Sequence, residues 1–168
     1  MKIKKDFFDK NVEIVAKNLL GKIIVRKIKN KEYKVRITET EAYYGENDPA
    51  SWARFNGNCR RIMSMEPGTI LIKMVHNNYL LNFVTGKYGK PRAVLIRAGI
   101  PLNFNVKCNG PGLLTRCLKI DKKFNEKSIF KTKDFKIIDD FFKKFKIFKS
   151  FRIGVKKDLK KPLRFYIK

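Results

Sequence analysis

Apolar residues at Val12, Val15, Ala16 and Leu19 recur at helical spacing. That pattern predicts an amphipathic helix over residues 11–20, with Gly21 placed to stop it. The period then changes to two. Lys22–Ile28 reads as a strand, Asn30-Lys31 as a turn and Tyr33–Glu41 as a second, alternating strand. Tyr33, Val35 and Ile37 share one face and Lys34, Arg36 and Thr38 the other. If the chain stays extended, Glu39, Glu41 and Tyr43 continue the apolar face. Two carboxylates therefore fall on the side that should be buried.

Residues 45–68 carry Gly45, Pro49, Gly57, Pro67 and Gly68 with no period, which marks a long loop of the kind that is usually functional. Thr69–Val75 and Tyr79–Thr85 are β-rich runs around His76-Asn77-Asn78, a hairpin in which Asn supplies the positive φ angles. Ala93–Arg97 is a further strand. Asn109-Gly110-Pro111 resembles a helix start, with Asn as the cap and Pro in the first turn, before a short helix over Leu113–Leu118. Residues 119–150 are rich in Lys and Phe and of mixed character. Arg152–Val155 and Leu163–Ile167 read as closing strands. No repeat, linker or domain boundary interrupts the chain. The expected architecture is one α+β domain over residues 1–168, with a mostly antiparallel curved sheet, hairpins and a few short helices.

Charge changes the picture from fold to partner. Forty Lys and Arg stand against 15 Asp and Glu, a net charge of +25. A field of that strength attracts polyanions, and nucleic acid is the expected partner. A membrane surface is the competing reading, with the best amphipathic segment near residues 139–149. No run approaches the length of a membrane span, and no signal peptide is recognised, so a cytoplasmic protein is expected. Cys59, Cys108 and Cys117 lack metal-like spacing and are expected to be reduced thiols. With a single His, no His-based metal site or His-rich redox centre is expected.

Glu41 is the sharpest candidate for chemistry. A carboxylate on the inward side of a strand, just before a long loop, would stand at a cleft wall, where desolvation makes it a better base near neutral pH. Glu39 is the alternative acid, and both could equally be structural carboxylates paired to nearby cations. Tyr43, Tyr44 and Trp52 cluster around this position and could stack on nucleobases or pack the loop. His76 could be a wedge between bases or an exposed turn residue.

Several blocks together resemble the 3-methyladenine (alkyladenine, methylpurine) DNA glycosylase family. They are Phe7-Phe8-Asp9 with the helix ending Leu19-Leu20-Gly21, then Arg36 to Tyr43 continuing through Gly45, Asp48, Pro49, Ala50 and Ser51. Pro67-Gly68, Leu81-Asn82, Val84-Thr85-Gly86 and Ala93 to Ala98 follow. Asn109-Gly110-Pro111-Gly112 and Lys161 to Tyr166 complete the series, in family order across nearly the whole chain. The resemblance implies a prokaryotic DNA repair enzyme. Such an enzyme flips a damaged purine out of the duplex and hydrolyses its N-glycosidic bond, without a lyase step or a cofactor. It implies Glu41 as the general base, Arg97 as the arginine that helps hold the attacking water, and Tyr43 as one wall of the base pocket. Asn82 matches the residue that screens bases, and His76 falls at the position of the wedge.

The sequence also departs from the family pattern. Trp52 stands where the family usually has His, Lys73 where ungapped counting places a pocket Tyr, and Leu114 where Lys is usual. The hydrolytic pair is intact, so the changes concern the pocket. The expectation is that Trp52 replaces both lost walls and that the base stacks between Tyr43 and Trp52. Such plates favour electron-poor alkylated purines. The rival readings are a non-enzymatic nucleic-acid-binding protein on the same fold, and a mostly helical helix-hairpin-helix glycosylase.

Overall fold

The computed structural model describes all 168 residues. The elements in order are α1 (Lys5–Phe8), α2 (Val12–Leu19), β1 (Ile23–Ile28), β2 (Lys31–Tyr43), α3 (Asn58–Met63), β3 (Ile70–Val75), β4 (Asn78–Val84), β5 (Ala93–Pro101), α4 (Pro111–Cys117), β6 (Phe135–Ile138), β7 (Ile147–Ser150) and β8 (Arg164–Ile167). Single 3-10 turns lie at Trp52–Arg54 and Lys122–Phe124. The sheet runs β3-β4-β5-β2-β1-β6, every pairing antiparallel, and β7 joins through β8. The long β2 carries β5 along one edge, while on the other its residues 31–36 pair with β1 and its residues 39–41 with β8. This is the expected α+β domain with a curled antiparallel sheet.

The helix at residues 12–19 forms as predicted. Asn11 caps it by accepting from the Glu13 N–H, and Val12, Val15, Ala16 and Leu19 are buried against the sheet. Gly21, at φ +81°, ends it in a conformation that costs a glycine little. The main core holds 27 buried residues, among them Phe8, Leu19, Val35, Ile37, Phe83, Val94, Ile96, Phe135 and Phe165. Burial of each such large apolar side chain contributes about 1.5–3 kcal/mol. A smaller cluster of Ala53, Ile62, Met63, Leu71, Val84 and Ala93 covers part of the other sheet face.

Five expectations are corrected. The segment 45–68 is not all loop: α3 forms because Ile62 and Met63 dock into the smaller cluster. Residues 152–155 are not a strand, because Arg152 turns inward to two aspartates and Gly154 adopts φ +72°. The closing strand lies earlier, at β7. The segment 139–149 forms no amphipathic helix, and its last residues belong to β7. Gly110, not Asn109, is the N-cap of α4. Cys108 and Cys117 form a disulfide, their Cα atoms 6.6 Å apart across the turn into α4, and Cys59 alone is a free thiol. The sheet dominates and the helices are short, which removes the helix-hairpin-helix architecture. No helix is long and apolar enough to cross a membrane.

Candidate active site

The site begins with one unpaired residue. Between Ile37 and Glu39 the register of β2 against β5 shifts, leaving Thr38 without a partner, and Arg97 is skipped in the same way on β5. Such bulges reverse the side-chain alternation. Val35 and Ile37 point into the main core before the bulge, and Thr40 and Ala42 do so after it. Glu39, Glu41 and Tyr43 are thereby placed on the opposite face. Glu41 is buried, as expected, but not by continuing the face of Val35 and Ile37.

On that opposite face, Leu71, Asn82, Leu95, Glu41 and Arg164 stand across from one another on β3, β4, β5, β2 and β8. Asn82 and Glu41 are two strands apart, about 10 Å. Glu41 is 0% exposed. Its Oε1 accepts the Ile153 N–H at 2.8 Å and its Oε2 accepts the Tyr43 hydroxyl at 2.7 Å. A carboxylate offers about four acceptor positions, so roughly two are uncommitted. Burial raises the Glu41 carboxyl above the ordinary carboxylate range. Arg97, the Ile153 N–H and Tyr43 oppose that rise, and Glu39 adds to it. Burial and the Glu41 charge push the Tyr43 hydroxyl far above its usual value, so Tyr43 is a donor and not an acid here.

Arg97 Nε donates to Glu39 at 2.9 Å and lies 3.5 Å from Glu41 Oε1. The same Glu39 oxygen accepts Arg164 Nε at 2.6 Å. Burial of Glu39 raises its pKa, but the two guanidiniums outweigh it and hold the carboxyl below its ordinary value. Glu39 is thus a structural carboxylate that aims Arg97.

A cleft of about 890 Å³ opens beside these groups. Tyr43, Trp52, His76, Leu80, Leu95 and Arg97 line it, together with Arg54, Arg116, Lys156 and Lys157, and no Asp or Glu does. Trp52 lies parallel to Tyr43, at 5° between planes and 6.3 Å between ring centres. Its position follows from Ser51, whose hydroxyl accepts the Ala53 N–H and starts the 3-10 turn. The Lys73 ammonium lies 5.8 Å from the Trp52 ring centre, behind the lining instead of in it. Asn82 is likewise beneath the cleft wall, between Leu80 and Leu95. Its amide donates to the carbonyls of Leu71 and Leu80, which fixes its orientation. His76 and Asn77, at φ +46° and +60°, make the two-residue hairpin turn, with Asn78 already in β4. His76 sits exposed at the cleft rim. The structure therefore brings Glu41, Arg97, Tyr43 and Trp52 together and places Lys73, Asn82 and His76 around them.

Sequence reasoning passed over Arg152 and Asp48, whose side chains are both fully buried and paired at 2.7 Å. Arg152 also lies 4.5 Å from the Tyr43 ring centre. Burial of Arg152 favours its neutral form, but Asp48 and Asp158 outweigh that and raise its pKa. The only signal was the unusual pair of isolated charges, Asp48 in a Gly/Pro loop and Arg152 among apolar residues. Their separation of 104 positions hid the contact.

The arrangement is a buried carboxylate beside an arginine, next to a cleft that holds two parallel aromatic rings and is lined by cations. The sequence model of the methylpurine-DNA glycosylase (MPG) family matches residues 6–168. Curated relatives named "Putative 3-methyladenine DNA glycosylase" include one from Aeropyrum pernix, 36% identical over 97% of this chain and 88% of its own length. Others come from Clostridium beijerinckii, 35% identical over 99% and 96%, and Bdellovibrio bacteriovorus, 35% identical over 100% and 96%. The chain belongs to the methylpurine-DNA glycosylase family, a family of DNA repair hydrolases.

Proposed function

We propose that this protein removes damaged purines, alkylated ones foremost, from double-stranded DNA as a monofunctional glycosylase. The damaged nucleotide is flipped into the cleft and its base stacks between Tyr43 and Trp52. Glu41 takes a proton from a water, the water oxygen bonds to C1′ of the deoxyribose, and the N-glycosidic bond breaks with its electron pair leaving on the purine. Arg97 positions that water. Only its Nε is hydrogen-bonded within the protein, so its remaining N–H groups can turn to the cleft. Asn82 screens the base through its carbonyl oxygen, and Lys73 backs Trp52. His76 fills the gap left in the duplex. No cofactor takes part. The protein acts as a monomer in a prokaryotic cytoplasm, at the nucleoid.

The observation that carries this reading is the environment of Glu41. It is a buried carboxylate held by two donors, with acceptor capacity to spare, 3.5 Å from an arginine that lines a cationic cleft. The test is base release from duplexes containing 3-methyladenine, 7-methylguanine, hypoxanthine or ethenoadenine, by wild type and Glu41→Gln. Release from at least one lesion that falls by 10²-fold or more in Glu41→Gln supports it. No release from any lesion, with lesion binding retained, favours the non-enzymatic DNA-binding reading.

A further inference from the structure

The buried Arg152 side chain is fully engaged in hydrogen bonds. Its Nε donates to Asp158 Oδ1 at 3.0 Å. One terminal nitrogen donates to the Ala42 carbonyl at 3.0 Å and to Asp48 Oδ2 at 2.7 Å. The other donates to Asp48 Oδ1 at 2.7 Å and again to Asp158. All five N–H groups of the fork are used. Asp48 accepts the Tyr44 and Ala50 N–H groups as well, which ties the 44–51 loop to the same node. The residue after the arginine is Ile153, whose N–H reaches Glu41.

Three segments therefore converge on one guanidinium: the end of β2, the loop that leads into Trp52, and the 151–158 segment that lines the cleft. Buried ion pairs are weak sources of net stability, since apolar side chains of similar volume often serve as well. What a saturated planar fork supplies, and an apolar cluster does not, is a fixed direction for every segment it binds.

We propose that Arg152 is a positioning residue for base excision: by clamping Asp48, Asp158 and the Ala42 carbonyl, it holds the Ile153 N–H on Glu41 and the Tyr43 ring in line with Trp52. The proposal rests on the reading of Glu41 as the base. The groups that face Glu41 are the Tyr43 hydroxyl and Glu39 from β2, Arg97 from β5, Arg164 from β8 and the Ile153 N–H from the 151–158 segment. Of these, Arg152 governs the Ile153 N–H and Tyr43, both of which bind the ionised carboxylate. Loosening them makes Glu41 harder to ionise.

Arg152→Lys tests this, because lysine keeps the charge and loses the fork. Asp158→Asn removes one carboxylate of the node and leaves the Asp48 pair. Two quantities are read in each variant: the titration of the Glu41 carboxyl by ¹³C NMR, assigned with Glu41→Gln, and the acid limb of single-turnover base release from a 7-methylguanine duplex. Thermal unfolding verifies the fold, and Asp158→Asn carries the test if Arg152→Lys does not fold. We expect both the titration and the acid limb to move up by about one pH unit in Arg152→Lys, and by a smaller step in Asp158→Asn. A Glu41 titration that stays at its wild-type position in a folded variant overturns the role of Arg152. A wild type that releases no base overturns the glycosylase reading instead, and the NMR titration still decides the clamp.

Discussion

The ring centres of Tyr43 and Trp52 are 6.3 Å apart and their planes are parallel to within 5°. A purine in van der Waals contact with both plates needs about 7 Å between them. The plates must therefore separate by at least about 0.7 Å when a base enters. Trp52 sits on the loop side and Tyr43 on the sheet, so on the proposed reading Trp52 is the plate expected to move. Replacing Trp52 with Ala should weaken binding to lesion-containing duplex by about 5- to 100-fold, the worth of one aromatic stack. Binding to undamaged duplex should change far less. Fluorescence anisotropy with matched duplexes reads both, and equal loss on the two refutes the stacking role.

Glu41 makes a linked prediction about stability. Burial raises its carboxyl in the native state above the value of about 4.3 in the unfolded chain. Its favourable contribution is complete below that unfolded value and is lost as pH rises through the raised native one. At pH 7.5, well above the unfolded value, that contribution is reduced or gone, because burial disfavours the ionised carboxylate. Glu41→Gln should raise Tm at that pH while abolishing base release, with the gain shrinking toward pH 4. A Tm below wild type at pH 7.5 would show that the Tyr43 and Ile153 donors outweigh burial.

Glu39 should act on the same base from the other side. Its charge raises the Glu41 carboxyl and its oxygen holds Arg97. In Glu39→Gln the repulsion is gone and Arg97 is freer to approach Glu41. The acid limb of base release should move down in pH, opposite in sign to the Arg152 variants. An upward move would contradict the assignment of Glu39 as the structural acid.

The hairpin tip calls for a particular substitution. His76 has φ +46°, so alanine there would add backbone strain to the loss of the ring. His76→Gly removes the ring without that strain. Lesion affinity should fall by about 5- to 10-fold, the lower end of what one aromatic stack contributes, with Tm unchanged or slightly raised. Full affinity in His76→Gly would take the residue out of the wedge role.

The surplus charge should be separable from this chemistry. Residues 119–161 alone hold 15 Lys and one Arg against six acids, a net of +10. Affinity for undamaged duplex should fall steeply as salt rises, and the ratio of lesion to undamaged binding should fall much less. A ratio that collapses with the affinity would place discrimination in the lysines.

Much of the site was legible because its signals are local. Glu41 and Tyr43 share a strand, the hairpin is marked by His76-Asn77, and α2 by its apolar period and its glycine. The parity of Glu41 was legible only in outcome: alternation along β2 puts Glu39 and Glu41 on the face of Val35, and the bulge that overrides it has no signature in Thr38. Arg152 and Asp48 were illegible for a different reason. A single charge in a loop looks the same whether it meets water or a partner 104 residues away. The disulfide was missed because the nine-residue spacing of Cys108 and Cys117 is neither metal-like nor diagnostic, and only the turn into α4 brings them together.

Thr38 has a consequence for how this strand can change. A β-strand is read in a frame of two, and the unpaired residue shifts that frame between Ile37 and Glu39. Upstream, odd-numbered positions build the core; downstream, odd-numbered positions lie on the cleft side of the sheet. Drawing Thr38 into the ladder, with every amino acid kept, would restore the original phase. Glu39 and Glu41 would then face Phe165 and the other apolar side chains of the core, and Thr40 and Ala42 the cleft side, whereas deleting Thr38 outright would close the bulge and leave all four on their present faces. The acid held by Ile153, Tyr43 and Arg97 owes its address to one residue left out of the ladder.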